Sequence, residues 1–263
     1  MENNYQSTED WQIARENNSN LRCVDVFIAT LPRQFFIIET VKSILENPET
    51  KSITISASNK YTDGEFQQLT EMLLNINTIT QVPIYLHRVD DAKGSNEKLR
   101  YIGKGTGKYI ALCDDDCVYP PNYFNYLIKG IEKYQGHVTL HGVVLHQRPI
   151  RSYYRDRDVY RGLGTVIFDM EVDIAASCMT MFKREWYDDL DTWYDKVSTT
   201  SMDDIYVSHF AMQKGIKRFV LSHVQGWVKH KEIRKEDNYV FDKYALVSGG
   251  DKVQTDYINT YWK

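Results

Sequence analysis

Three consecutive carboxylates, Asp114, Asp115 and Asp116, close an apolar run of Tyr109, Ile110, Ala111, Leu112 and Cys113. Side chains alternate across an extended chain, so Asp114 and Asp116 are expected on one face and Asp115 on the other. Two carboxylates roughly 4 Å apart repel by about 4 kcal/mol at an effective dielectric near 20, so a bound cation or a raised pKa is expected to relieve them. Oxygen ligands favour Mg²⁺ or Mn²⁺ over zinc. Mg²⁺ commonly takes one or two carboxylates and completes its shell with water and phosphates, which points to a nucleotide diphosphate. The competing account is an acidic turn before the helix that follows Pro120 and Pro121, and the triplet alone leaves both open.

A second acidic pair, Asp203 and Asp204, opens a helix predicted over residues 203–214, with Ile205, Ser208, Ala211 and Met212 on one side and Gly215 as its stop. Helix N-termini favour carboxylates by roughly 0.3–1 kcal/mol, so this pair can also be read as a charged cap following Ser201.

The elements that must carry these groups alternate. Residues 24–30 form a β-branched run, and Ile37, Val41, Ile44 and Leu45 follow at helical spacing until Asn47 and Pro48. Residues 52–58 read as the next strand. Thr62 and Glu65 form a capping box before a helix carrying Phe66, Leu69 and Leu73. Residues 82–87 give a third strand, 96–102 a short helical segment and 109–113 a fourth strand. This rhythm predicts an α/β protein with a mostly parallel sheet, whose ligands bind outside the carboxyl ends of the strands, where Thr30, Ser58 and the aspartates fall. Further on, residues 137–146 and 175–182 read as strands and 151–161 as a charged, tyrosine-rich loop. No GxGxxG follows the first strand and no GxxxxGK[ST] is present, which argues against a dinucleotide fold and a P-loop ATPase.

The chain has 263 residues and a formal charge of −4 without a long basic run, so a nucleic-acid backbone is not an expected partner. Cys23, Cys113, Cys117 and Cys178 form no CxxC pair, which predicts a reducing, cytoplasmic compartment and no zinc site. The first 20 residues are polar and no membrane-spanning stretch is visible. Lys229, His230, Lys231, Arg234 and Lys235 suggest peripheral membrane attachment, which Glu232, Glu236 and Asp237 weaken. The expected division is a polar segment at 1–20, one domain at 21–228, and a tail at 229–263 that acts as a lid or pairs with another subunit.

Four motifs in order resemble the GT-A glycosyltransferases of the family 2-like group: VDVFIATLPR (24–33), GKYIALCDDDCVYPPNYF (107–124), AASCMTMFKREW (175–186) and MDDIYVSHFAMQKGI (202–216). The resemblance implies a GT-A fold, Rossmann-like with a central mixed, mostly parallel sheet, and an inverting, metal-dependent transfer from a nucleotide-diphospho-sugar to a glycan or glycoconjugate acceptor. Asp114 and Asp116 match the DxD pair that would hold Mn²⁺ or Mg²⁺, with Asp115 beside the donor. Asp204 matches the catalytic base, and Asp203 stands where Glu is usual, which leaves open which of the two acts. Ser58 and Asn59 replace an Asp that meets the base and ribose in many relatives. Thr30 and Arg33 lie where ribose or phosphate is met, and Lys98 where donor phosphates often are, or else on a solvated helix face. His230 and, less so, His223 are candidates for a third metal ligand, and Trp227 for stacking on an acceptor sugar. The 145–172 region is expected along the acceptor side.

Two enzymatic rivals use aspartates at a strand end, nucleotidyltransferases and metal-dependent phosphohydrolases. Neither the glycine-rich loop of the first nor the DxDx[TV] of aspartyl-phosphate enzymes follows the first strand. A non-catalytic carbohydrate-binding protein on the same fold is the alternative of another class.

Overall fold

A computed structural model describes residues 22–33, 35–90, 92–197, 202–231 and 250–262. The polar segment at 1–20, Ser201, and the tail residues Glu232, Arg234, Lys235, Glu236 and Asp237 lie outside the described residues.

β1 (Val24–Thr30) is buried at nearly every position, the pattern of a strand covered on both faces. Its one buried carboxylate, Asp25, accepts from Ser52 Oγ at 2.6 Å and from the backbone N–H groups of Thr106 and Gly107 at 2.5 Å each, so burial leaves no charge unanswered. β2 (Thr50–Ser58), β3 (Ile84–Val89) and β4 (Tyr109–Asp114) join β1 as parallel strands in the order β3-β2-β1-β4. The chain first builds outward from β1 through β2 to β3 and then returns to β1's other edge as β4. That reversal opens a crevice between the carboxyl ends of β1 and β4. In register, Ala29 lies between Ser56 and Asp114, which places Thr30 and the aspartates at its mouth.

The helix Phe36–Leu45 buries Ile37, Ile38, Val41 and Ile44 against this sheet. The helix Asp63–Ile79 starts with the expected box: Glu65 N–H donates to Thr62 Oγ1 at 3.3 Å and Thr62 N–H to Glu65 Oε2 at 2.8 Å. Residues 96–102 form two 3₁₀ turns, Gly94–Leu99 and Ile102–Lys104.

Three expectations for the second half are corrected. Residues 137–146 are two strands: β6 (His137–Thr139) stays in the large sheet, while β7 (Gly142–Leu145) enters a separate three-stranded sheet. Between them His141 N–H donates to Thr139 Oγ1 at 3.1 Å, which takes the backbone out of the ladder. The 151–161 loop ends in β8 (Arg157–Tyr160), an antiparallel partner of β7. The 175–182 strand splits into β10 (Ile174–Ala175) and β11 (Met179–Lys183), with Ser177 in the turn between. β11 runs antiparallel to β4 and β6 and completes a mixed sheet of order β3-β2-β1-β4-β11-β6-β12-β9, where β12 is Arg218–Val220 and β9 is Met170–Glu171.

The helix Asp203–Gln213 packs on β10 and ends at Gly215, whose φ of +68° is the left-handed conformation that favours glycine. The terminal helix Gly250–Tyr261 packs on it, with Tyr257 Oη 2.6 Å from His209 Nδ1. No helix of the described residues is long and apolar enough to cross a membrane.

Candidate active site

The turn after β4 re-aims the aspartates. Alternation holds only while the chain is extended, and β4 ends at Asp114, with Asp115 and Asp116 in a turn before β5 (Cys117–Val118). Asp115 therefore does not point away from its neighbours. All three carboxylates line one cavity of ≈ 220 Å³ with Thr30, Arg33 and Lys98.

Each carboxylate there has a cationic partner. Thr30 Oγ1 donates to Asp115 Oδ2 at 2.6 Å, and Arg33 forks across Asp115 Oδ1 at 2.5 Å and Asp116 Oδ2 at 3.2 Å. Burial pushes the Asp115 carboxyl up to about 6 despite Arg33. Burial also raises Asp116, but the His230 hydrogen bond and the Arg33 charge outweigh it and hold that carboxyl below the ordinary range. His230, paired with Cys117 in β13 (Lys229–His230), brings Nε2 to 3.4 Å from Asp116 Oδ2 and is raised by that contact. Among the described residues no three His, Cys, Asp or Glu side chains already surround one point as a metal site.

Lys98 is buried rather than on a solvated face. Its Nζ lies 2.8 Å from Asp114 Oδ1 and 3.0 Å from Asp203 Oδ2, linking the strand end to the head of the Asp203–Gln213 helix. Burial alone lowers a lysine, yet Asp114 and Asp203 together raise this one well above its ordinary value.

Beyond Lys98 lies a second cavity, of ≈ 320 Å³, which Ser95, Lys98 and Asp114 share with the first. Asp203 and Asp204 both line it, in unlike surroundings. Asp203 accepts from Ser95 Oγ and Ser177 Oγ as well as Lys98; burial raises it, but Lys98 and the two hydroxyls bring it below the ordinary carboxylate range. Asp204 accepts from its own helix, Ile205 N–H at 2.9 Å, and from Tyr153 Oη at 3.5 Å. Burial and the charge of Asp203 push it up to about 6.

The profile of Glycosyl transferase family 2 matches residues 25–191, more than half of the chain. The chain belongs to that family. The match covers the aspartate run and stops short of Asp203 and Asp204. A solved structure of similar fold is the mannosyltransferase PcManGT from Pyrobaculum calidifontis in complex with GDP-Man and Mn²⁺, with TM-score 0.56, 16% identity, and coverage of 93% of this chain and 70% of that one. At that identity the likeness is one of fold, and the fold of this glycosyltransferase is GT-A. No curated protein matches the sequence.

Not every expected residue reaches the site of this family 2 enzyme. Ser58 is buried at the end of β2, where its Oγ accepts from Lys60 N–H at 3.1 Å, and Asn59 is exposed; Ser56 and Lys60 line the first cavity instead. Trp227 lines neither cavity and packs its ring 5.0 Å from Tyr126 and 5.9 Å from Tyr123, since its indole completes the apolar cluster over the helix Tyr123–Tyr134. His223 bonds to the carbonyl oxygens of Leu221 and Arg161, away from the aspartates.

Residues of the second cavity that sequence reasoning left unnamed include Tyr153, Arg157, Ser177 and Gln254. The first two sit in the 145–172 region, in the run SYYRDRDVYR, whose paired tyrosines and arginines were the available signal. Gln254 comes from the terminal helix, so part of the tail closes one wall of the cavity; Tyr153 N–H donates to Thr255 Oγ1 at 2.9 Å in the same contact.

Proposed function

We propose that this glycosyltransferase is inverting and metal-dependent, moving a sugar from a nucleotide-diphospho-sugar to a hydroxyl of a glycan or glycoconjugate, in polysaccharide or lipopolysaccharide synthesis. The observation that carries this reading is that two cavities meet at Ser95, Lys98 and Asp114, one walled by the aspartate run and the other by Asp204. A donor in the first and an acceptor in the second would face one another across that boundary.

In the donor cavity, Arg33 and Lys60 offer positive charge to a diphosphate, and Thr30 fixes Asp115 beside it. Asp114 and Asp116, with His230 next to Asp116, would hold Mn²⁺ or Mg²⁺. Hard carboxylate oxygens on one cavity wall fit such an ion, and a diphosphate supplies the ligands they leave open. When bound, the metal stabilises charge on the leaving diphosphate. The Mn²⁺ and GDP-Man in the structure of similar fold support this assignment.

Of the two carboxylates on the helix, Asp204 is the base. Asp203 is fully engaged by Lys98, Ser95 and Ser177, whereas Asp204 faces the acceptor cavity with a pKa near the working range of a general base. Asp204 would take the proton of the acceptor hydroxyl as its oxygen bonds to the anomeric carbon and the bond to the diphosphate breaks. Attack from the side opposite the leaving group inverts that carbon.

The test is calorimetric titration of UDP, GDP, TDP and CMP with and without Mn²⁺, repeated on Asp116→Ala. Metal-dependent binding of a nucleoside diphosphate that disappears in the variant is the expected result. No binding of any nucleotide removes the donor assignment.

A further inference from the structure

We propose that the cavity beside Asp204 takes an acceptor carrying an anionic group, phosphate or carboxylate, near the reacting hydroxyl, and that Arg157 recognises it. This rests on the acceptor assignment above and names the substrate class of that cavity.

The cavity contains two cationic side chains, and they are differently engaged. Lys98 is committed to Asp114 and Asp203. Arg157 has no ion pair among the described residues, and its Nε is buried without a hydrogen-bond partner. It lies instead on two aromatic faces, with Cζ 4.1 Å from the Tyr153 ring centroid and 4.5 Å from that of Tyr154. Of the other arginines in this region, Arg148 is bound to Asp173 and Arg151 lies 3.8 Å from Asp156. Next along β8, Asp158 turns to His146 at 3.0 Å and leaves Arg157 without its charge.

Stacking on tyrosine rings fixes a planar guanidinium without using its N–H fork. A fork held in place and partly removed from water is built for bidentate contact with a carboxylate or phosphate. His141, on the same wall, does not compete for that anion, because burial and the charges of Arg157, Arg161 and His223 push its pKa down to about 4.

Tyr153 sets the spacing. Its face carries Arg157 while its hydroxyl donates toward Asp204 at 3.5 Å, so cation and base stand at two ends of one tyrosine side chain. A sugar unit spanning that interval meets Asp204 with a hydroxyl and Arg157 with its anion. Gln254 adds a second unfilled position: it is more than nine-tenths buried in the cavity wall, and its Oε1 has no partner among the described residues. A ligand hydroxyl would satisfy it.

The test compares three probes on the full chain with Mg²⁺ by saturation-transfer NMR: methyl β-D-glucuronide, glucose 6-phosphate and the neutral methyl β-D-glucoside. At least one anionic probe is expected to bind about tenfold more tightly than the glucoside, the worth of one charge-assisted contact, and the two anions tell carboxylate from phosphate. Arg157→Gln should abolish the preference and Arg157→Lys keep part of it. A second readout on the unmodified protein does not depend on variants folding: phenylglyoxal modification of Arg157, followed by mass spectrometry, should slow with the preferred anion and not with the glucoside. Equal binding of all three probes, no binding of any, or a preference that survives Arg157→Gln overturns the proposal. Nucleotide titration reports separately on the donor cavity. Nucleotide binding without anion preference removes this inference alone, and anion preference without nucleotide binding removes the donor assignment alone.

Discussion

Lys98 Nζ lies 3.0 Å from Asp203 Oδ2, and the same ammonium reaches Asp114 Oδ1 at 2.8 Å. One buried cation thus ties the end of β4 to the first turn of a helix that begins 89 residues later, by the difference between positions 203 and 114. The two carboxylates are not equally dependent on it. The Asp114 side chain is 40% exposed and can draw on solvent, whereas that of Asp203 is 9% exposed and, among the described residues, has only Lys98 to balance its charge.

Lys98→Met should therefore leave Asp203 as a buried, uncompensated carboxylate. Removing one partner of such a pair costs about 3–5 kcal/mol, and the lower end is expected here because Ser95 and Ser177 still donate to it. Urea denaturation at pH 7 measures the loss. Lys98→Met combined with Asp203→Asn should recover most of it, and a single variant within 1 kcal/mol of the parent would show that the bridge carries little.

As the proposed base, Asp204 should set the pH profile of transfer. A base with a pKa of about 6 must lose its proton, so the rate should fall about tenfold per pH unit below pH 6 and level off above it. Asp204→Asn should lower the rate by at least about 10²-fold while nucleoside diphosphate affinity stays within twofold. A profile that is flat from pH 5 to 7 would take the base role from Asp204.

The same carboxyl affects stability with the opposite sign. Its folded pKa, about 6, lies above the ordinary unfolded value of about 3.9, so between these pH values the folded state holds a proton that the unfolded state has released. Stability contributed at this position falls as pH rises from about 4 to 6 and does not return. The shift alone corresponds to about 3 kcal/mol; because Asp204 is only partly buried by area, roughly 1 kcal/mol is the expected gain for Asp204→Asn at pH 7. Thermal melts at pH 4 and pH 7 check it, and an equal gain at both would point to a cause other than ionisation.

Local signals were the legible ones. The box of Thr62 and Glu65 and the stop at Gly215 depend on neighbours within a few residues, and both stand where the residue types put them. β1 and β4 were visible because strands covered on both faces are almost continuously apolar, and β2 because Ile53, Ile55 and Ala57 alternate with Thr54, Ser56 and Ser58. The splitting of 137–146 was not, since the break hangs on one Thr139 hydroxyl that accepts from His141. In the site, the aspartates at a strand end and the acidic helix start declared themselves as clusters. Lys98 did not, because an isolated lysine reads as solvated until the fold brings Asp114 and Asp203 to it from 16 and 105 positions away, counting along the numbering. Gln254 was hidden for the same reason, because the terminal helix brings it to a cavity built from distant residues; Arg157 lies only four positions from Tyr153, but which arginine of that run meets the cavity is decided by the fold of the second half.

Trp227 offers a test that separates packing from recognition. Its ring stands edge-on to Tyr126 at 5.0 Å and tilted to Tyr123 at 5.9 Å, within the apolar cluster that also holds Leu127 and Val228. Tyr123 is fully buried, so removing the indole opens a void above a side chain that has no freedom to fill it. Trp227→Ala should cost about 2–3 kcal/mol, below the usual range for a fully buried tryptophan because this residue is only partly buried. Binding of nucleotide and of anionic sugar probes should stay within twofold of the parent, as both cavities are lined by other residues. Unchanged stability together with lost sugar binding would move Trp227 from the core to the acceptor site, and would require the acceptor to extend across the helix Tyr123–Tyr134 rather than along Arg157.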